Sequence, residues 1–266
     1  MRRLKPSNGL QGYHMRHVLI VVLLTVWPLS AWADTRLRFC YDHYPPYAFG
    51  SEDQPSSGLK VRLLQEIVAQ IDGVSADVTI MPWKRCQAAA RTGEVDGILP
   101  LFKSAEREAY LAFSAATFQE TSRFFYNRAR FPGGLDWDGD LADLSHLRLG
   151  MLNGGVIDPD MEAAFSANQD ILRARDARTL MPLLVKDRVD LIATDTAVGR
   201  MTIRQNGWGD QLTYVEHPIA ERASFFGLSR TSGADRYRDA FNRAVEAMTA
   251  RGRIAEILQE AGEPQN

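Results

Sequence analysis

The chain has 266 residues, 45% of them hydrophobic and 24% charged, with a formal net charge of −2. No stretch gathers enough Lys and Arg to track a phosphate backbone, so nucleic acid is a poor candidate partner. The two cysteines and five histidines show no metal-ligand spacing, and neither a phosphate loop nor a Ser-His-Asp order is present. No metal, nucleotide cofactor or hydrolytic chemistry is therefore expected.

The N-terminus is read first. Arg2, Arg3, Lys5 and Arg16 precede an apolar run, Val18 to Leu24, that continues through Trp27 to Leu29 and ends at Ala31-Trp32-Ala33-Asp34. A basic start, an apolar stretch short for a bilayer and small residues at the cut describe a secretory signal peptide cleaved after Ala33. An uncleaved anchor is the alternative, against which Pro28 and the small-residue site weigh. No cysteine follows the cut, as a lipoprotein anchor would require. The remaining 233 residues carry 27 Lys and Arg against 33 Asp and Glu, a charge of −6. They hold no further apolar run long enough to span a bilayer, and a soluble protein is expected. Cys40 and Cys86 both lie in this part, where an oxidising compartment invites pairing. Cys40 falls in a strand and Cys86 in a helix placed against the same sheet. A disulfide is expected, with two buried thiols as the alternative.

Leu37 to Cys40 reads as a short strand, followed by the loop Tyr41 to Gly50, in which two prolines can fix aromatic faces at a strand end. Leu59, Leu63, Ile67 and Ile71 repeat at fours and predict a helix capped by Ser56 or Ser57. Val78 to Met81 is a strand, and Pro82 opens a helix from Trp83 to Thr92 that stops at Gly93. A buried strand, Val95 to Leu99, leads into a loop bearing Lys103, Glu106 and Arg107, then a second apolar run, Tyr110 to Phe113. The order β-α-β-α-β predicts a parallel, doubly wound sheet. An arginine at the carboxyl end of such a strand sits where open α/β sheets bind ligands, and its donor fork suits a carboxylate. Arg107 is thus a candidate anion ligand; the alternative is a solvated arginine in a charged turn.

Thr121 to Arg130 alternates as a longer strand leaving this half, and Phe131 to Asp140 reads as a loop. The unit then restarts: strand Leu147 to Leu152, turn Asn153-Gly154-Gly155, helix Asp158 to Asn168, strand Ile171 to Ala174, helix Ala177 to Lys186 and strand Val189 to Ala193, ending at Thr194-Asp195. Leu212 to Val215 and Ala223 to Ser229 are further strands, and Tyr237 to Ala261 is a last helix. Two similar halves joined by extended crossings predict two lobes with a cleft between them. Lobe one comprises residues 34–125 and 220–266, and lobe two residues 126–219, with crossings near 121–130 and 215–229.

The order of these motifs resembles the family 3 solute-binding proteins, periplasmic receptors for polar amino acids and related compounds. The resemblance covers nearly all of the chain beyond the signal peptide. It is carried by YPPYAF (Tyr44 to Phe49), Gly58, GEVDGI (Gly93 to Ile98), the SAER turn (Ser104 to Arg107), Phe113-Ser114, LGMLNGG (Leu149 to Gly155) and VDLIATD (Val189 to Asp195). It implies a type II periplasmic-binding-protein fold, a mostly parallel sheet in each lobe and a ligand cleft between them. Arg107 is similar to the family's carboxylate-binding arginine, and Asp195, five residues after Asp190, to the acceptor of the ligand's ammonium group. Each such charged hydrogen bond is worth about 1.5–3 kcal/mol. Tyr44 or Tyr47 stands at an aromatic wall and Trp83 near a second.

The departures are also specific. Leu99, Pro100 and Phe102 occupy places where the family commonly has small hydroxylated residues. Gly154 is followed by Gly155 and Val156 rather than by Thr or Ser, leaving their backbone N–H groups at a helix start as anion donors. The first helix, GLKVRLL, lacks the acidic residue often found after the glycine. The resemblance implies a monomeric periplasmic protein that captures an amino-acid-like zwitterion or carboxylate and presents it to an inner-membrane ABC permease or sensor, and the apolar setting from Leu99, Pro100 and Phe102 points to a ligand less polar than a standard amino acid. Two alternatives stay open. One is a dehydratase of prephenate-like or arogenate-like acids, for which Asp42, His43 and Glu106 are the available acids. The other is an accessory protein whose pocket has degenerated.

Overall fold

The computed structural model describes residues 35–168 and 170–260. The expected signal peptide, its cut after Ala33 and the last residue of the expected C-terminal helix, Ala261, lie outside them. The first half runs β1 (Thr35–Tyr41), a hairpin of β2 (Phe49–Ser51) and β3 (Gln54–Ser57), α1 (Leu59–Val68), β4 (Val74–Ile80), α2 (Trp83–Thr92), β5 (Gly97–Leu101), α3 (Ala105–Glu108) and β6 (Leu111–Phe113). The second runs β7 (Gln119–Asn127), α4 (Leu141–Leu144), β8 (Leu149–Leu152), α5 (Pro159–Asn168), β9 (Leu172–Ala174), α6 (Ala177–Leu180), α7 (Pro182–Val185), β10 (Leu191–Asp195), α8 (Thr196–Asn206), β11 (Leu212–Tyr214) and β12 (Ala220–Ala223). The chain then returns through β13 (Phe225–Ser229) to α9 (Arg238–Ala250) and α10 (Arg253–Glu260).

Two sheets organise these elements. One has the order β4-β1-β5-β13-β6, the other β11-β7-β10-β8-β9 with β12 also on β7. In each, the first strand of a β-α-β-α-β unit is flanked in parallel by the other two: β1 by β4 and β5, β8 by β9 and β10. The antiparallel pairings come from the connecting and returning strands β7, β11, β12, β13 and β6. Both faces of the second sheet are covered. Adjacent residues of β7 point oppositely, so Phe124 packs with Met161 and Phe165 while Phe125 packs with Leu184 and Ile192. In the first sheet, α9 packs Phe241 against Phe39 and Phe226. A Cys40–Cys86 disulfide, Cα atoms 5.6 Å apart, ties β1 to the first turn of α2.

Several local expectations are corrected. The cap of α1 is Gly58, not Ser56 or Ser57; at φ 113° its backbone sits so close to Tyr47 that a Cβ would fall 2.7 Å from that residue's carbonyl oxygen. The strand expected at Val78 begins at Val74, and the one expected at Val95 begins at Gly97. The loop bearing Arg107 contains the one-turn helix α3, capped by Ser104. The helix expected over Ala177 to Lys186 breaks at Pro182, whose ring cannot continue it. The last helix breaks at Gly252, φ 72°. The strand expected over Ala223 to Ser229 divides at Ser224, with β12 in the second sheet and β13 in the first.

Candidate functional site

The two units repeat one anchoring device at the amino ends of their third strands. Asp96, just before β5, accepts from the backbone N–H of Arg38 at 2.8 Å and from its Nε at 3.3 Å. Asp190, just before β10, accepts from the backbone N–H of Arg148 at 2.9 Å and its Nε at 3.0 Å. Burial pushes the Asp190 carboxyl up, but the Arg148 hydrogen bonds and the nearby Arg130 charge outweigh this and hold it below the usual range. These aspartates explain the Val-Asp of both motifs as structural. The candidate ligand residues Arg107 and Asp195 lie at the opposite, carboxyl ends of the same strands, where open α/β sheets place ligand sites.

There, Arg107 follows β5 on a turn closed by Ser104, whose hydroxyl accepts from the Arg107 N–H at 3.3 Å. Arg107 is 3% exposed. It donates from Nη1 to the Phe102 carbonyl at 2.7 Å and from Nη2 to the Gly154 carbonyl at 3.1 Å, and lies 5.3 Å from the Trp83 ring. Burial lowers its pKa, yet a guanidinium stays charged in proteins. Among the described residues no carboxylate reaches it within ion-pair distance. Asp195 ends β10 and caps α8: Oδ1 accepts from the Val198 N–H at 3.1 Å and Oδ2 from Tyr47 Oη at 3.2 Å. It thus sits at the positive end of α8.

Arg107 and Asp195 line one cavity of about 70 Å³ together with Tyr44, Trp83, Phe102, Gly155 and Val156. The space is small enough that a ligand within it touches both lobes. Tyr44 Oη lies 3.1 Å from Thr194 Oγ1. Three other expected contacts stand elsewhere. Tyr47 stacks behind Tyr44, centroids 6.2 Å apart, and faces a neighbouring groove. Leu99 is fully buried in the core, and Leu101, on the same side of the strand two residues on, reaches the cavity instead. Gly154 turns its carbonyl toward the first lobe, where it accepts from Trp83 Nε1 at 2.9 Å and Gln87 Nε2 at 3.3 Å as well as from Arg107. The helix start expected at Gly154 to Val156 is displaced. α5 begins at Pro159 with Asp158 accepting from the Met161 N–H, and the Gly155 N–H is bonded to the Leu152 carbonyl.

Of the three candidate acids only Asp42 lines the cavity. It is 4% exposed, Oδ1 accepts from the His43 N–H at 2.7 Å, Oδ2 is buried without a partner, and burial raises its pKa to about 7. Glu106 is exposed and paired with Arg91, while His43 bonds to the Gly50 carbonyl and packs on Phe49. Sequence reasoning missed Lys60 and Glu120, which line the cavity together with Tyr41, the first of the loop tyrosines. A signal existed for Lys60. It sits three, four and seven residues before Leu63, Leu64 and Ile67, on the face of α1 that is buried.

Two α/β lobes with buried charges of opposite sign facing one cavity define a type II periplasmic-binding-protein fold. The family model for bacterial extracellular solute-binding proteins, family 3, matches residues 37–263, and the chain belongs to that family. No match emerges among curated proteins. Among solved structures, the chain is similar to the arginine-, lysine-, histidine-binding protein ArtJ from Geobacillus stearothermophilus, with a TM-score of 0.72, 19% identity and coverage of 87% of this chain and 97% of that one. It is similar to a histidine kinase sensor domain with likeness to periplasmic binding proteins (TM-score 0.73, 18% identity, 86% and 96%). It is also similar to AncCDT-1, an ancestral amino-acid-binding protein and precursor of cyclohexadienyl dehydratase (TM-score 0.69, 15% identity, 85% and 94%).

Proposed function

We propose that this chain is a periplasmic receptor that closes residues 34–125 with 220–266 against residues 126–219 around an amino-acid-like zwitterion. In this reading it is exported by its N-terminal segment, acts as a monomer and presents the closed complex to an ABC permease or a membrane sensor. One observation carries the reading: Arg107 and Asp195, from different lobes and each almost fully buried, line one cavity. Arg107 takes the carboxylate and Asp195 the ammonium group. Tyr44 and Trp83 flank the ligand, and Phe102, Gly155 and Val156 close the less polar side.

The test is a thermal-shift screen of the chain from Asp34 against amino acids, polyamines and organic acids, since a ligand that binds only the folded state raises its melting temperature. Arg107→Ala is expected to abolish the shift while the chain stays folded by circular dichroism. An unchanged affinity in that variant would remove Arg107 from the site. A second reading, a dehydratase without receptor function, draws on Asp42: a cavity carboxyl with a pKa of about 7 is suited to general-acid work. Turnover of a prephenate-like acid, together with no shift from any zwitterion, would favour it.

A further inference from the structure

Lys60 is the second residue of α1 and is wholly buried. Its Nζ lies 4.3 Å from the Tyr47 ring centroid, 4.9 Å from that of Tyr41 and 5.8 Å from that of Phe118. It donates to Tyr41 Oη at 2.9 Å and to Glu120 Oε2 at 3.1 Å. Three aromatic rings and a carboxylate around one ammonium form the kind of cage in which proteins bind alkylammonium ligands. Tyr41, Lys60 and Glu120 all line the cavity that holds Arg107 and Asp195, and Glu120 comes from the start of β7, the strand by which the chain crosses into the second sheet.

We propose that this cluster, which opens on the ligand cavity through Tyr41, Lys60 and Glu120 while Tyr47 and Phe118 back it from the neighbouring groove, is an ammonium site filled by the chain's own lysine, and that Lys60 is the specificity-determining residue that shuts out ligands with a cationic side chain. The specificity half rests on reading the cavity as the amino-acid site. A second cation entering here would meet Lys60 at close range with Glu120 already neutralised, and an uncompensated buried charge is strongly disfavoured. The ligand side chain that fits is uncharged, in keeping with the apolar lining from Leu101, Phe102, Val156 and Ile157. In this respect the chain differs from a receptor for arginine or lysine while sharing its fold.

The experiment uses n-propylammonium, the part of the side chain that Lys60→Ala deletes, with n-propanol as its neutral counterpart at matched ionic strength. Propylammonium is expected to raise the melting temperature of Lys60→Ala by several degrees, propanol to have little effect, and wild type to respond to neither. A shift equal in wild type and variant, or equal for amine and alcohol, would overturn the proposal and make Lys60 a plain strut between α1 and β7. Should Lys60→Ala not fold, Lys60→Ala/Glu120→Gln removes the orphaned charge; its rings should still prefer the amine over the alcohol, and no preference there overturns the proposal equally. With a folded variant, ornithine is expected to bind at least tenfold more tightly than to wild type. Adding Arg107→Ala to Lys60→Ala separates the two readings, because it should abolish ornithine binding and leave the propylammonium effect intact. An amine effect in a protein that binds no amino acid would sink the receptor reading and keep the cage.

Discussion

Asp42 directly follows β1 inside the protein, with one carboxylate oxygen satisfied and the other not. Burial raises its pKa to about 7, whereas the unfolded chain ionises near the ordinary carboxyl value of about 4. Between those values the folded state holds a proton that the unfolded state has lost. Stability therefore falls as pH rises through this window and levels off above about 7. Asparagine cannot ionise, so Asp42→Asn is expected to remove the decline. The variant should be close to wild type near pH 4 and more stable by up to about 4 kcal/mol near pH 8. Urea denaturation at both ends of the range measures it, and a pH-independent difference would show that another group carries the dependence. Partial protonation at neutral pH also lets Asp42 offer a hydrogen bond as well as accept one. It therefore does not by itself select a cationic ligand, and the filled cage around Lys60 can set the charge preference.

At the scale of elements, the disulfide and the helix it holds belong together. Cys86 lies one turn from Trp83 and next to Gln87, the two α2 side chains that reach Gly154, and Cys40 lies just before Tyr41 at the cavity. Closing a loop of 46 residues limits the unfolded chain by about 4 kcal/mol. Cys40→Ala/Cys86→Ala is expected to lower the unfolding free energy by about that much, read from urea midpoints, and to weaken ligand binding by letting α2 shift. Unaltered affinity in a destabilised variant would confine the bridge to stability. The parts of the fold legible in the sequence were the strands bearing Val-Asp and the helix with apolar residues at fours, where local pattern and burial agree. One of the unseen helices, α8, shows why others were not. Its sequence, TAVGRMTIRQN, has little apolar periodicity. It is fixed instead by the Asp195 cap and by Gly199, where a Cβ would lie 2.1 Å from the Phe125 ring. That information is tertiary, as is the pairing of Lys60 with Glu120, 60 residues away. Arg107 and Asp195 could be found because each follows a recognisable strand; the carboxylate partner of Lys60 lies on a strand whose pattern marks only a crossing.

For the whole molecule, two copies of one β-α-β-α-β unit are joined so that the carboxyl ends of their strands face each other across the cleft. Besides the Tyr44–Thr194 and Tyr47–Asp195 bonds, three contacts across the cleft meet at the Gly154 carbonyl, which receives Trp83 Nε1 at 2.9 Å, Arg107 Nη2 at 3.1 Å and Gln87 Nε2 at 3.3 Å. A carbonyl oxygen has two lone pairs, so three donors oversubscribe it. A ligand carboxylate can take Arg107 from this cluster while Trp83 and Gln87 keep the lobes joined, so binding exchanges one partner of the arginine for a better one. Arg222 adds a further bridge, donating to the Ile157 carbonyl at 2.7 Å and the Lys103 carbonyl at 2.9 Å. Trp83→Phe keeps an aromatic wall beside Arg107 but deletes the shortest bond to Gly154. It is expected to enlarge the radius of gyration of the unliganded chain in small-angle X-ray scattering, and to weaken ligand binding by roughly threefold to tenfold, the loss of one hydrogen bond of about 0.5–1.5 kcal/mol. If scattering from the two unliganded proteins superimposes and affinity is unchanged, the clasp on Gly154 contributes nothing to closure. Arg222 would then be the bridge to remove next.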